Sequence, residues 1–135
     1  MTWVDQRPPV VQGKSSTGIF SVAIRGKRLT LVGGDFQDES RFEGHHLFSQ
    51  DGGRQWKVPQ SPTRGYRECV EWISAKALIA VGPAGTDIST NGGLSWRALS
   101  DTKGLHVIRK AREGTSILCA GSSGKLFHLT THDAD

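Results

Sequence analysis

Apolar residues in this chain fall in short runs, each bounded by glycine, proline or small polar residues. No run has the length or the 3.6-residue period of an amphipathic helix; several alternate with the period of a strand. Residues 19–24 alternate well enough for a buried strand, and residues 29–32, 46–49 and 56–58 supply three more. The succession then repeats: residues 69–73, 77–81, 86–89 and 96–99 form a second set of four. Residues 105–108, 116–120 and 125–129 begin a third set, after which the chain reads Thr130-Thr131-His132-Asp133-Ala134-Asp135 and no fourth strand follows. Residues 2–4, with Trp3, read as an outer strand of a preceding set.

The punctuation repeats too. Ser49-Gln50-Asp51-Gly52-Gly53-Arg54-Gln55-Trp56 returns forty residues later as Ser89-Thr90-Asn91-Gly92-Gly93-Leu94-Ser95-Trp96. Asp or Asn before Gly-Gly is a hairpin signal, because the amide or carboxylate bonds the backbone ahead and glycine takes positive φ without a steric cost. The Ser hydroxyl can bond the turn backbone, and the Trp can lock the hairpin onto its neighbour. Asn91 at the position of Asp51 speaks for a folding role and against a catalyst or metal ligand there. Four-stranded units of about forty residues are propeller blades. The expectation is an all-β chain, a β-propeller fragment of about three four-stranded antiparallel blades with the last lacking its outer strand. Residues 1–17 hold an outer strand and loop of a preceding blade, 18–64 a blade, 65–103 a blade and 104–135 an incomplete one.

The octets resemble the Asp-box of the bacterial neuraminidase repeat. That repeat occurs in β-propellers such as sialidases, sortilin-like receptors and photosystem II assembly-factor-like proteins. The longer pattern Val-Gly-x-x-Gly-Thr-Asp-x-Ser-x-Asn-Gly-Gly-x-x-Trp around residues 81–96 is similar to uncharacterised bacterial propellers of that class. The resemblance implies a structural octet on the rim away from the ligand face. It says little of activity, since propellers host many functions.

Composition narrows the rest. Among 135 residues, 36% are apolar and 17 are glycine, which suits a turn-rich globular chain. The net charge of +4 is scattered, with short clusters at residues 25–28 and 109–112, and lacks the aromatic-interleaved stripe of a nucleic-acid binder. Cys69 and Cys119 have no metal or redox spacing and read as buried free thiols. No stretch is long enough to span a membrane. The N-terminus lacks the features of a signal peptide, although relatives of this class are often exported. Neither a metal nor a cofactor is expected.

Within a blade, strand direction alternates. Loops from strand two to three therefore share a face with loops from strand four to the next strand one, and the octets lie opposite. The loop-rich face gathers the long elements, where binding residues concentrate. Arg64, Tyr66 and Arg67 stand at the mouth of the expected channel. There an arginine can clamp a carboxylate with paired hydrogen bonds; the alternative is an arginine on strand-end carbonyls beside a packed tyrosine. The insertion from Asp35 to His46 holds Asp38, Glu39 and Glu43 and reads as a solvated loop, with Asp35 and His45 as candidate contacts. Adjacent His45 and His46 would point to opposite sides of a strand, and His106 and His128 read as ordinary strand residues.

Two functions follow. One is a non-catalytic scaffold that binds a protein, small molecule or carbohydrate on the loop-rich face, without nucleic acid or membrane. The other is a remnant of a sialidase-like glycoside hydrolase, which would need a carboxylate pair about 5 to 9.5 Å apart across a cleft. Three blades do not close a ring. The chain is then either part of a longer propeller or a unit that self-associates, with Trp3 as the strand that the last blade lacks.

Overall fold

The computed structural model describes residues 1–41 and 43–130. Among these residues, ten strands form three antiparallel sheets. The first sheet holds β1 (Thr17–Arg25), β2 (Arg28–Asp35) and β3 (His46–Ser49) in that order. The second holds β4 (Cys69–Trp72), β5 (Leu78–Gly82), β6 (Gly85–Ser89) and β7 (Arg97–Ser100). The third holds β8 (Leu105–Lys110), β9 (Ile117–Gly121) and β10 (Leu126–Leu129). Each sheet is a simple up-and-down blade. The chain is a partial β-propeller.

The blades stack face to face, and the core lies between them. Ala23 and Val32 of the first blade meet Val70, Trp72, Leu78, Ala80 and Trp96 of the second. Cys69, Ile79 and Val81 of the second meet Leu105, Ile108, Ile117 and Cys119 of the third. Alternate residues of β5 thus serve opposite junctions, as the strand period requires. Both cysteines are free and buried in the second junction.

The octets fold alike. Ser49 Oγ donates to Asp51 Oδ1 at 2.8 Å and accepts from Gly53 N at 2.9 Å. Ser89 Oγ does the same with Asn91 Oδ1 and Gly93 N, both at 2.9 Å. Asp51 Oδ1 takes the N–H groups of Arg54 and Gln55, and Asn91 Oδ1 takes that of Ser95. The glycine pairs adopt the same left-handed angles, φ 76° then 93°, in both copies. Gly52 N donates to Lys27 O and Gly92 N to Lys76 O, which ties each octet to the neighbouring turn between strands one and two. The octets and those turns therefore share one rim.

Several expectations need correction. Residues 56–58 form no strand: Lys57 makes only a two-bonded bridge to Phe48. Pro59 and Pro62 follow at once and cannot extend a ladder. Residues 2–4 form no strand either, and Trp3 is 100% exposed, since no strand lies beside it in one chain. β1 is a strand but not a buried one: Ile19, Val22 and Ile24 are exposed, because the blade face they occupy has no blade against it, and Phe20, at the bulge of β1, is exposed at the edge of the first junction. The expected absence of a fourth strand after β10 concerns residues 131–135, which lie outside the described residues.

Candidate functional site

Hydrogen bonds gather the loop-rich face. Tyr66 N donates to Glu39 O, Arg67 N to Gly33 O, Val11 N to Gly44 O and Gly104 N to Pro83 O. The two classes of loop meet on this side, opposite the octets.

The densest chemistry sits where the segment entering the second blade crosses β6. Asp87 is fully buried and receives two arginines. Arg64 Nε donates to Oδ1 at 2.7 Å, and Arg64 N donates to Oδ2 at 3.2 Å. Arg67 reaches Oδ2 through Nε at 2.9 Å and Nη2 at 2.7 Å. Arg67 Nη1 also donates to Tyr66 O, and Arg64 Nη2 to Thr86 O. Burial pulls Arg67 below its ordinary value, and the adjacent Asp87 charge opposes that pull. A Cβ on Gly85 would lie 3.0 Å from Nη2 of both Arg64 and Arg67, so only glycine gives the two guanidiniums ordinary room there. One carboxylate and two guanidiniums leave a net positive charge. Arg64, with its side chain 43% exposed, carries that charge to the surface.

Beside it lies an aromatic cluster. Phe20 meets Tyr66 edge-on at 5.3 Å and Phe36 edge-on at 6.2 Å between ring centroids. Tyr66 is buried, whereas Phe20 and Phe36 are exposed. Tyr66 donates its hydroxyl to Glu68 Oε2 at 2.9 Å, and the other oxygen of Glu68 meets His106 Nδ1 at 2.5 Å. Burial first, and then Glu68, push the Tyr66 phenol well above its ordinary value. That environment opposes a phenolate.

The remaining candidates are anchors. Asp35 is buried, and its carboxylate accepts from Gln37 N at 2.9 Å. The nearby Ser16 hydroxyl and that N–H hold its carboxyl below the usual range. His45 Nε2 donates to Thr63 O at 2.8 Å, while His46 Nδ1 accepts from Thr63 N at 3.2 Å. The two histidines therefore converge on one residue rather than diverging, because β3 begins only at His46 and His45 precedes the strand alternation. Burial lowers the value for both rings, and for His46 it falls to about 3. The insertion is solvated at residues 36–38 and fixed at both ends.

Of the five candidates, Arg64 alone presents a substantial solvent-exposed side chain; Tyr66, Arg67, Asp35 and His45 are buried. Sequence reading missed Asp87, Phe20, Phe36, Glu68 and His106 as members of this region. Asp87 lies in an ordinary strand run, and its two partners lie 20 and 23 positions away, so no local spacing marks them. Among the described residues, no group of three or more His, Cys, Asp or Glu could hold a metal ion. Among the same residues, no helix is long and apolar enough to cross a membrane.

No family model matches the chain, and no curated protein matches it by sequence. Solved structures do. YCF48 bound to a D1 peptide matches with a TM-score of 0.55 and 19% identity, over 84% of this chain and 36% of that one. A GH74 enzyme from Niastella koreensis matches at 0.58 and 20% identity, over 82% and 21%. An ancestral GH74 enzyme matches at 0.51 and 15% identity, over 84% and 20%. The chain spans about a third of the first and about a fifth of the others. At such identities the likeness concerns the fold, and the fold they share with this chain is the β-propeller.

Proposed function

We propose that this chain is a non-catalytic propeller module whose loop-rich face binds an extended peptide carrying a carboxylate. The exposed Arg64 guanidinium, braced by Asp87 on the same loop as Tyr66, on which the exposed Phe20 packs, carries this reading. A fixed cation on a loop that also holds an aromatic cluster suits a peptide acid with an apolar neighbour. The peptide-bound state of YCF48 adds support from a protein with the same fold. Binding of labelled ten-residue peptides, with acidic side chains or with these amidated, tests it by fluorescence anisotropy. Saturable binding to an acidic peptide, weakened about tenfold or more by Arg64→Ala, supports the reading. Equal binding of acidic and amidated peptides counts against it.

The GH74 neighbours and the Tyr66–Glu68 contact favour a second reading, a glycoside hydrolase remnant. Against it stand the carboxylates themselves: Asp87 is neutralised by two arginines, and Glu68 is shared by Tyr66 and His106. Turnover of a fluorogenic glycoside that disappears in Glu68→Gln would replace the first reading with the second.

A further inference from the structure

We propose that a cavity between the second and third blades receives Trp3 of a second copy of this chain, so that two chains close a six-bladed ring. The cavity measures about 350 Å³ and is lined chiefly by Ile79, Thr86, Leu99, Cys119, Phe127 and Leu129. The repeat identifies what belongs there. One blade earlier, Trp96 fills the equivalent place, buried against Leu78 and Ala80 with its ring 5.0 Å from that of His46. Strand register maps His46 onto Thr86, since His46 pairs with Val32 and Thr86 with Val81. It also maps Ala80 onto Cys119 and Ser89 onto Leu129, through the pairs with Val70, Ile108, Leu78 and Ile117. Two lining residues of the cavity thus correspond to groups that touch Trp96 or share its cluster, and a third to the serine that opens its octet. The sequence supplies no octet of its own at this point: Leu129, Thr131, His132 and Asp133 stand where Ser, Asp or Asn, Gly and Gly would be.

The unused tryptophan is Trp3, fully exposed. It precedes β1 much as Trp56 precedes β4. Between Trp3 and β1, Val10 packs on Leu31 and Leu47 of the first blade. Leu47 and Asp87 hold equivalent positions, so Val10 lies where Arg64 lies one blade later: on the path of a chain arriving from a preceding outer strand. The N-terminal segment is therefore already laid out as an incoming connection.

The flanking faces match this role. The first blade exposes Val22 and Ile24, and the third exposes Val107, Leu118 and Leu126. Four strands about 4.8 Å apart and five residues long cover on the order of 300 Å². A two-fold ring has two junctions, so each chain buries two such faces, on the order of 600 Å² before side-chain relief is counted. Stable complexes bury about 800 Å² per partner. The contact is head to tail and closes after two copies.

Light scattering on the full chain across a micromolar concentration series tests the inference, with Trp3→Ala beside it. The expected mass is twice 14.6 kDa. Trp3→Ala leaves the circular dichroism unchanged, because the side chain touches nothing in the single chain, and weakens association about thirtyfold or more. A synthetic peptide of residues 1–12 should bind the Trp3→Ala protein saturably, and the same peptide carrying Trp3→Ala about thirtyfold more weakly. A mass of one chain throughout, a dimer indifferent to Trp3→Ala, or equal binding of the two peptides would overturn it.

Discussion

The middle blade and its two neighbours are written in the same pattern and end in different states. Leu78, Ala80 and Val81 of β5 are 0% exposed, whereas Ile24 of β1 is 63% and Leu126 of β10 is 66% exposed. The difference is not local. β5 lies between two blades; β1 and β10 each belong to a blade with one open face. The tryptophans repeat the contrast. Trp96 has a blade ahead of it and is buried at 5% exposure, while Trp56 has only the N-terminal segment beside it and is half-buried. In a stacked array, burial is a property of the interface between modules more than of a module's own sequence.

The largest expected effect comes from the better-packed tryptophan. Trp96→Ala should cost about 3 to 5 kcal/mol in urea unfolding, and Trp56→Ala no more than roughly half of that, since half-burial leaves less contact to lose. Equal losses would mean that the flanked and unflanked positions do not differ. Asp87→Leu comes next. It places at the second blade the residue type that the first blade has at Leu47, and strands two guanidiniums, at a cost of about 3 kcal/mol. The matching Leu47→Ala change should leave peptide binding at Arg64 intact, whereas Asp87→Leu should disturb it.

The pH dependence sharpens the comparison further. His46 titrates near 6.5 in the unfolded chain and at about 3 when folded, so its contribution is fully present above 6.5. As the pH falls from there toward about 3, stability declines with a slope of up to about 1.4 kcal/mol per pH unit. His46→Gln should remove that slope in a series of urea curves, and a slope unchanged by the substitution would count against a neutral, buried ring. Smallest is the difference between the octets. Backbone N–H groups, that of Gln55 foremost, and Ser49 lower the Asp51 carboxyl below 3.8. The support it gives is present above 3.8 and disappears as the pH falls through the folded value, while Asn91 has no such dependence. Amide exchange in acid should therefore loosen Gly53–Gln55 before Gly93–Ser95.

Much of the fold is legible in the sequence. Two octets at one period mark the hairpins, and short apolar runs mark strands that the structure reproduces within about one or two residues for most elements. What stays hidden depends on neighbours. The run at residues 19–24 has the composition of a buried strand, and only the absence of a blade against it leaves it exposed. The Trp56 run has a strand's composition, yet Pro59 cuts it to one bridge. The candidate site is less legible still. Arg64 and Arg67 announce themselves as charges in the loop around Gly65, but their common partner Asp87 is one strand residue among several acids. The convergence of Phe20, Phe36 and Tyr66 arises from three separate segments: the pairing of β1 with β2 brings the two phenylalanines together, and the junction with the second blade adds the tyrosine.

Hydrogen exchange, read residue by residue on the Trp3→Ala chain, tests most directly whether flanking decides burial. The account predicts that the amides of β5 exchange slowest, and that those of β10 and the outer half of β1 exchange at least about tenfold faster. Protection in β10 equal to that in β5 would contradict it.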